Sequence, residues 1–356
     1  MKILIDIGHP AHVHLFKNFA RQMLVKGHQV YFTTRNKEFE IDLLNHENLP
    51  FTNLGKHYKS WQGKIWGFLK YNWKILKISL EFKPDLYLSH GSVYTLLSSF
   101  FLRRPNISLE DTGNKEQINL YLTFTNAVIT SNSFPYKYGN KQIFYNGYHE
   151  LAYLHPNYFI PDPKVREELG VLEKQKYFIL RFVSWSASHD AGQVGLTNEQ
   201  KKDIIKILTK KGKVFISSEA PLPSDFEIFS FPLTPERMHH ALAMANLYVG
   251  EGATMASECA MLGTPSIYIN TQEAGVIKEQ EKYGLIYHFR KPDGVLDKIT
   301  EILENEKIKE IQITKRNLML KEKIDVTAFL IWFIENYPKS FDLIRTNPSI
   351  FQISNN

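Results

Sequence analysis

Three histidines stand within six residues in the segment Gly8-His9-Pro10-Ala11-His12-Val13-His14. Imidazole titrates nearest to neutral pH, so this segment carries a group able to exchange a proton with a reacting hydroxyl. It falls between a short apolar strand, Ile3 to Ile7, and a helix whose free N–H groups and positive dipole end suit an anion. The plainer alternative is that one or two of the rings only cap the helix or fill space. His12 and His14 are also possible metal ligands. Residues two apart do not face together on a helix, and no carboxylate or cysteine stands near in sequence to complete a ligand set, so neither metal nor cofactor is expected.

A second constellation is Gly250-Glu251-Gly252-Ala253-Thr254, continuing to Glu258 and Leu262-Gly263-Thr264-Pro265. Small residues at Gly252, Ala253 and Thr254 let a phosphate approach the backbone at a helix start. Thr254 and Glu258 share one helical face, and a carboxylate one turn inside the helix can accept two hydrogen bonds from a ribose diol. The alternative is a tightly packed helix with a solvated glutamate. A third is the run Arg181 to Asp190, with Trp185, Ser186 and His189. An arginine at a strand end followed by a polar loop suits a diphosphate, or is an ordinary loop around a buried tryptophan. The fourth is Glu110-Asp111-Thr112, after a strand ending at Leu109. Adjacent carboxylates point apart, so at most one reaches a site, where it could orient a histidine or bind hydroxyls. An N-cap role for Asp111 or Thr112 is the equal alternative.

The elements that must position these residues read as two α/β series. Leu15, Phe19 and Met23 fall on one helical face, Gly27 sits at that helix's C-terminus, and Val30 to Thr34 is the next strand. Strand, helix and strand at this length imply a parallel pair with a right-handed crossover. Leu86 to Ser89, Ile107 to Leu109 and Ala127 to Thr130 are further strands. Pro156, Pro161 and Pro163 mark a linker. The second series holds strands at Tyr177 to Phe182, Val214 to Ser217, Leu247 to Val249 and Ser266 to Ile269. Its helices run over Asn198 to Leu208, from Thr234-Pro235 (N-cap and first turn) to Ala245, and over Thr254 to Leu262; the tail beyond 308 is helical. The expected domains are 1–155 and 160–330, with a helical tail at 331–356.

The chain of 356 residues carries a formal net charge of +6 and one cysteine, Cys259. A single cysteine excludes an intrachain disulfide and a cysteine-rich zinc site. The mild positive charge suits an anionic substrate or a phospholipid surface and is too small to argue for nucleic acid. The start, Met1-Lys2-Ile3-Leu4-Ile5-Asp6, reads as neither signal peptide nor membrane span, so a cytoplasmic protein is expected. In 64–83, apolar and aromatic residues interleave with Lys64, Lys70, Lys74, Lys77 and Lys83. This fits an interfacial helix, with Trp66, Tyr71 and Trp73 at headgroup level and peripheral contact with an anionic membrane. The alternative is a buried helix with snorkelling lysines.

These strings resemble sugar-nucleotide enzymes of the GT-B fold, two Rossmann-like domains facing across a cleft. Gly252 to Pro265 resembles the donor-binding signature of the lipid II-forming N-acetylglucosaminyltransferases, which implies ribose binding by Glu258 and phosphate binding by Ala253 and Thr254. His12-Val13-His14-Leu15 through Gly27-His28 resembles their Gly-His-Val-x-Pro…Arg-Gly-His segment, with Ala11 for the glycine and Leu15 for the proline; His12 then takes the place of the loop histidine, the base in plant-type UDP-glycosyltransferases. Over about residues 1–335 the chain is similar to domain-of-unknown-function family 354. The shared features are Asp6-x-Gly8-His9-Pro10-x-His12-Val13-His14, Trp185…His189-Asp190 and Glu258…Leu262-Gly263-Thr264-Pro265.

The likeness implies inverting, metal-independent transfer from a UDP-sugar, which is substrate rather than cofactor, in polysaccharide or glycolipid synthesis. His12 would be the base, oriented by Asp111 or Glu110. His9, His14, Arg181, Trp185, Ser186, His189 and Gly252 would join Ala253, Thr254 and Glu258 around the nucleotide sugar, and the acceptor would be a sugar or lipid-linked sugar. A non-hydrolysing UDP-N-acetylglucosamine 2-epimerase is the alternative, although its Ser-Gly-Gly-x-x-Glu-Glu-Ala string places Ser257 where it has its first glutamate. A non-catalytic sugar-nucleotide binding subunit is the third reading.

Overall fold

The computed structural model describes residues 1–58, 60–182, 196–218, 221–271, 275–348 and 350–353. The chain divides into two compact units, one formed by Met1–Tyr158 with Lys323–Asn356 and the other by Phe159–Glu322.

The first unit runs through β1 (Lys2–Asp6), α1 (Pro10–Val25), β2 (Gln29–Asn36), α2 (Glu40–His46), β3 (Phe51–Lys56), α3 (Trp61–Phe82) and β4 (Leu86–His90). It continues through α4 (Leu96–Phe101), β5 (Asn106–Glu110), α5 (Lys115–Leu122), β6 (Ala127–Ser131), β7 (Gln142–Tyr145) and α6 (Leu151–Leu154). The strands form one seven-stranded sheet in the order β3-β2-β1-β4-β5-β6-β7. All its pairings are parallel. Strands buried on both faces need near-continuous apolar runs, as Ile3, Leu4 and Ile5 supply with no exposure. Right-handed crossovers toward β3 and toward β7 put their helices on opposite faces. The order reverses between β1 and β4, and the loops at the carboxyl ends of these two strands flank the crevice where open sheets of this kind bind ligands.

The second unit contains α7 (Val165–Glu168), β8 (Tyr177–Phe182), α8 (Asn198–Thr209), β9 (Lys213–Ser218), α9 (Met238–Met244), β10 (Leu247–Gly250) and α10 (Ala253–Leu262). After these come β11 (Ser266–Ile269), α11 (Gly275–Lys282), β12 (Ile286–Phe289), α12 (Val295–Glu304) and α13 (Ile308–Glu322). Its five strands are ordered β12-β11-β10-β8-β9 and are again all parallel. Phe178, Leu180, Leu247, Val249 and Ile267 form the middle of its core. The chain then rejoins the first unit as α14 (Val326–Glu335), α15 (Lys339–Thr346) and α16 (Ile350–Ile353). Thr327 Oγ1 and Asn18 Nδ2 both donate to the carbonyl of Ala152, at 2.8 and 2.9 Å, tying α14 and α1 to α6.

Several sequence expectations are corrected. The second unit ends at Glu322 rather than 330. Thr234 and Pro235 do take the N-cap and first helical positions, but the turn they open, Pro235–Arg237, is 3₁₀ and precedes α9, and the Thr234 hydroxyl donates to Glu236. Strands β3, β7 and β12 went unread. All three lie at sheet edges, where a strand has one neighbour and need not be an apolar run. Helix α3 is not the buried helix of the alternative reading, because Trp61, Trp66 and Trp73 are exposed, while Tyr71, expected at headgroup level, is buried.

Candidate active site

At the crevice of the first sheet, four segments bring together residues far apart in sequence. His90 ends β4, Asp111 follows β5, His149 follows β7, and His12 lies in the first turn of α1. His90 Nε2 is 2.9 Å from one carboxylate oxygen of Asp111, and His149 Nδ1 is 3.1 Å from the other. The ring of His12 lies 4.5 Å from that of His90, and the His90 and His149 rings meet edge-on at 5.3 Å. The His90 and His149 side chains each retain 8% exposure, whereas Asp111 keeps 51%. His12 is partly exposed.

Electrostatics separates these rings. For His90, burial opposes the charged form, but the attraction and hydrogen bond of Asp111 outweigh it and push the ring up to about 9. For His12, burial and the neighbouring His90 and His9 all act against the proton and hold its pKa well below the ordinary value. Asp111 meets a burial cost that would raise it, and His90 and His149 reverse this, keeping it well below the usual carboxylate range. At neutral pH the cluster therefore holds a neutral His12 beside a protonated His90 pinned to an ionised Asp111. Environments that push neighbouring titratable groups apart are how one site provides both an acid and a base.

The orientation of His12 differs from the expectation. Its Nδ1 accepts a 3.3 Å hydrogen bond from the backbone N–H of Gly8, so the neutral ring carries its proton on Nε2. Asp111 binds His90 and His149, not His12. Glu110 is turned the other way: its carboxylate accepts from Thr112, Gly113 and Tyr121. Alternation along the extended chain sends the two acids to opposite sides, so neither orients His12 by a hydrogen bond. Nor does Asp111 or Thr112 cap a helix, since Asn114 caps α5. His9 caps α1, its Nδ1 accepting from Ala11 N–H at 3.1 Å. His14 is buried against Tyr153, ring centroids 5.5 Å apart. Of the three clustered histidines, one caps, one packs against Tyr153, and one joins the titratable group.

Beneath the loop lies a buried ion pair. Arg35 Nη1 bonds both oxygens of Asp6 at 3.0 Å, and Nη2 donates to the carbonyl of Ile7 at 2.8 Å. Thr33 and Ser92 also donate to Asp6, at 2.7 and 2.5 Å. Asp6 has no exposure and Arg35 has 6%, so the pair fixes the ends of β1, β2 and the loop after β4. Donor atoms of His90, Asp111 and His149 lie within 4.8 Å of one another and are the set that could gather around a metal ion among the described residues. No carboxylate stands near the clustered histidines in sequence, yet in space one does meet two histidines.

In the second unit, Gly252 is the N-cap of α10, Ala253 and Thr254 open its first turn, and Gly263 ends it in the left-handed region at φ +69°. A Cβ on Gly250 would fall 2.3 Å from the Tyr248 hydroxyl and 2.9 Å from Cβ of Arg181, so only glycine fits there. Thr254 is exposed. Glu258 is buried, and its carboxylate lies 3.0 Å from Nε2 of His239 on α9. Ser257 accepts from Gln280 on α11 at 2.7 Å. Arg181 ends β8 and donates from Nη1 to Ser217 at 2.8 Å. Trp185, Ser186 and His189 lie outside the described residues.

Sequence reading missed His90, His149, Arg35 and His239. His90 comes directly after the anticipated strand Leu86 to Ser89, so the carboxyl-end rule that flagged His12 would have flagged it. His149 follows the unread edge strand β7 and carried no such signal.

Two successive parallel-sheet units of Rossmann type, each with candidate polar groups at its strand ends, define a protein of the GT-B fold. The chain belongs to the DUF354 family, described as a protein of unknown function, whose model matches residues 1–328. It is similar to the uncharacterized protein MJ0665 of Methanocaldococcus jannaschii, 22% identical over 290 residues, covering 77% of this chain and 83% of that protein. Among solved structures it resembles UDP-GlcNAc 2-epimerase from Neisseria meningitidis bound to UDP-GlcNAc, with TM-score 0.67, 12% identity, and coverage of 94% of this chain and 99% of that one. It also resembles MurG from Acinetobacter baumannii, with TM-score 0.56, 15% identity, and coverage of 94% and 99%.

Proposed function

We propose that the chain transfers a sugar from a nucleotide-sugar donor, with a UDP-sugar the first candidate, onto a hydroxyl acceptor in cell-surface polysaccharide or glycolipid synthesis. The observation that carries this reading is the His12 ring held 4.5 Å from that of His90, which is itself paired with Asp111 at 2.9 Å. In the proposed step the acceptor oxygen bonds to the anomeric carbon with inversion, while the bond from that carbon to the diphosphate breaks. The leaving UDP takes the bonding electrons, and His12 takes the hydroxyl proton at Nδ1, where the substrate replaces the long contact from Gly8. Glu258, set by His239, binds the ribose. Arg181, Thr254 and the start of α10 stabilise the developing diphosphate charge without requiring a metal. His9, Trp185, Ser186 and His189 are assigned to the nucleotide sugar on the family resemblance. Nucleotide sugars are made inside cells, so the cytoplasm is the proposed location; no described helix is long and apolar enough to cross a membrane.

One observation favours epimerisation as a second reading. A ring ready to accept a proton next to a ring ready to donate one suits a reaction that removes and returns a proton at carbon. The test is proton NMR of the protein with UDP-GlcNAc in deuterated water, together with thermal shifts for UDP and a panel of nucleotide sugars. Transfer predicts stabilisation by the nucleotide sugar and no deuterium at the sugar's C2. Deuterium at C2 with a second UDP-sugar appearing establishes the epimerase. No stabilisation by any nucleotide sugar ends both readings.

A further inference from the structure

Helix α3 is 22 residues long, and only its inner face is packed. Tyr71, Ile75 and Leu54 belong to one buried cluster, and Tyr71 donates to the carbonyl of Lys56, so the helix is anchored to its unit. The outer face carries Trp61, Ile65, Trp66, Leu69, Trp73 and Leu80, exposed by 70, 56, 60, 55, 60 and 56%. Steps of four (61, 65, 69, 73) and seven (66, 73, 80) place them along one broad stripe. Helix α4 is tied to α3 by the Leu97 N–H donating to Asn72 at 3.4 Å. It adds Phe100 and Phe101, exposed by 62 and 64%. Apolar exposure on this scale marks an interaction surface rather than ordinary scatter.

The charges on the same helix identify the occupant. Between Trp61 and Leu80 there are four lysines, Lys64, Lys70, Lys74 and Lys77, and no acidic residue. Lys64 and Lys77 are exposed, and Lys77 sits 5.7 Å above the ring of Trp73. Arg103 and Arg104, both exposed, follow α4. Two such faces would repel each other, which argues against a second copy. Tryptophans at an apolar–polar boundary flanked by cations match the interface of an anionic bilayer.

We propose that α3, with the end of α4, is a membrane-docking surface that lies on an anionic lipid leaflet, its tryptophans at headgroup level and Lys64 and Lys77 on the phosphates. This does not rest on the nucleotide-sugar reading. A lysine at an anionic surface strengthens binding about fivefold.

The full chain is sedimented with vesicles of phosphatidylcholine alone and of phosphatidylcholine with phosphatidylglycerol, at low and high salt. Tryptophan emission is followed in parallel, three of the five tryptophans lying on α3. Binding only to the anionic vesicles, weakened by salt and accompanied by a blue shift, is expected. Lys64→Glu with Lys77→Glu should lower the affinity by about 25-fold or more. Trp66→Ser with Trp73→Ser should remove most of the blue shift, and an unchanged circular dichroism spectrum shows that these exposed positions leave the fold intact. No binding at low salt overturns the proposal. So does equal binding to neutral vesicles, and so does concentration-dependent association by light scattering without vesicle binding, which would mark a protein interface.

Discussion

Asp111→Asn tests the electrostatic account of the histidine cluster most directly. The change keeps the side chain's shape and removes its charge. His90 then loses the attraction that overcomes its burial, and its pKa should fall from about 9 to below the 6.5 of a free imidazole. A histidine raised from 6.5 to about 9 corresponds to about 3 kcal/mol at 1.36 kcal/mol per pH unit. Because the Asp111 carboxylate is 51% exposed, solvent screening reduces this to roughly 1–2 kcal/mol of stability. The sign follows from proton binding. Below about pH 6.5 folded and unfolded chains both hold the His90 proton, and the contribution is complete; between 6.5 and about 9 only the folded chain holds it, and the contribution shrinks until it is gone above 9. Asp111, depressed in the fold, loses its share as the pH falls from its unfolded value toward its lower folded one. Thermal unfolding should therefore place Asp111→Asn below the parent by roughly 2–8 °C near pH 5.5, the gap closing by about pH 10. Histidine side-chain NMR would follow His90 itself. A His90 midpoint still near 9 in the variant, or a stability gap that stays constant from about pH 5.5 to 10, would refute the reasoning.

Three further outcomes are expected. His12→Gln should lower turnover on a true acceptor by about 10²–10⁴-fold while leaving UDP affinity unchanged; parent-like turnover removes His12 from the chemistry. Arg35→Met leaves the fully buried Asp6 without its cation, and breaking such a pair costs about 3–5 kcal/mol, read as a clear drop in the denaturant midpoint; a drop under about 1 kcal/mol means the clamp is not structural. Glu258→Gln should weaken UDP binding by about one to two decades, from the loss of a charge-assisted hydrogen bond of roughly 1.5–3 kcal/mol; equal affinity by calorimetry takes the ribose role away from it.

How much was legible follows from the range over which each feature is determined. Central strands such as β8 and β11 are buried on both faces, and their apolar runs were readable with their ends. The left-handed Gly27 after α1, at φ +83°, was readable from type and spacing alone. Of the edge strands, β9 was read from its apolar Val214-Phe215-Ile216, but β3 was not, because Phe51-Thr52-Asn53-Leu54-Gly55-Lys56 is half polar and lacks a second neighbour. Within the site, His12 was found because its loop is local. Its partner His90 is 78 positions away, brought close only by the β1–β4 pairing that aligns Asp6 with Ser89. Asp111 was found but given the wrong partner, since adjacency to Glu110 says that the two diverge and not what each will meet.

The buried pair beneath the loop also explains why a glycine precedes the histidines. A Cβ at position 8 would stand 3.0 Å from Nη2 of Arg35 and 3.8 Å from the ring of His12. That nitrogen cannot swing aside without breaking its bond to the carbonyl of Ile7, while its sister Nη1 holds both oxygens of Asp6. The absent side chain thus lets a cation lie directly under the turn. The same cation is among the charges that disfavour a proton on His12, and the Gly8 N–H that meets His12 Nδ1 belongs to that turn. The packing of Arg35 against Asp6 and Gly8 therefore sets the turn whose N–H orients the ring, whereas its neutrality comes first from burial and from His90 and His9, with Arg35 adding to them. Asp6 and Gly8 are accordingly part of what positions His12, although the Asp6 side chain is fully buried.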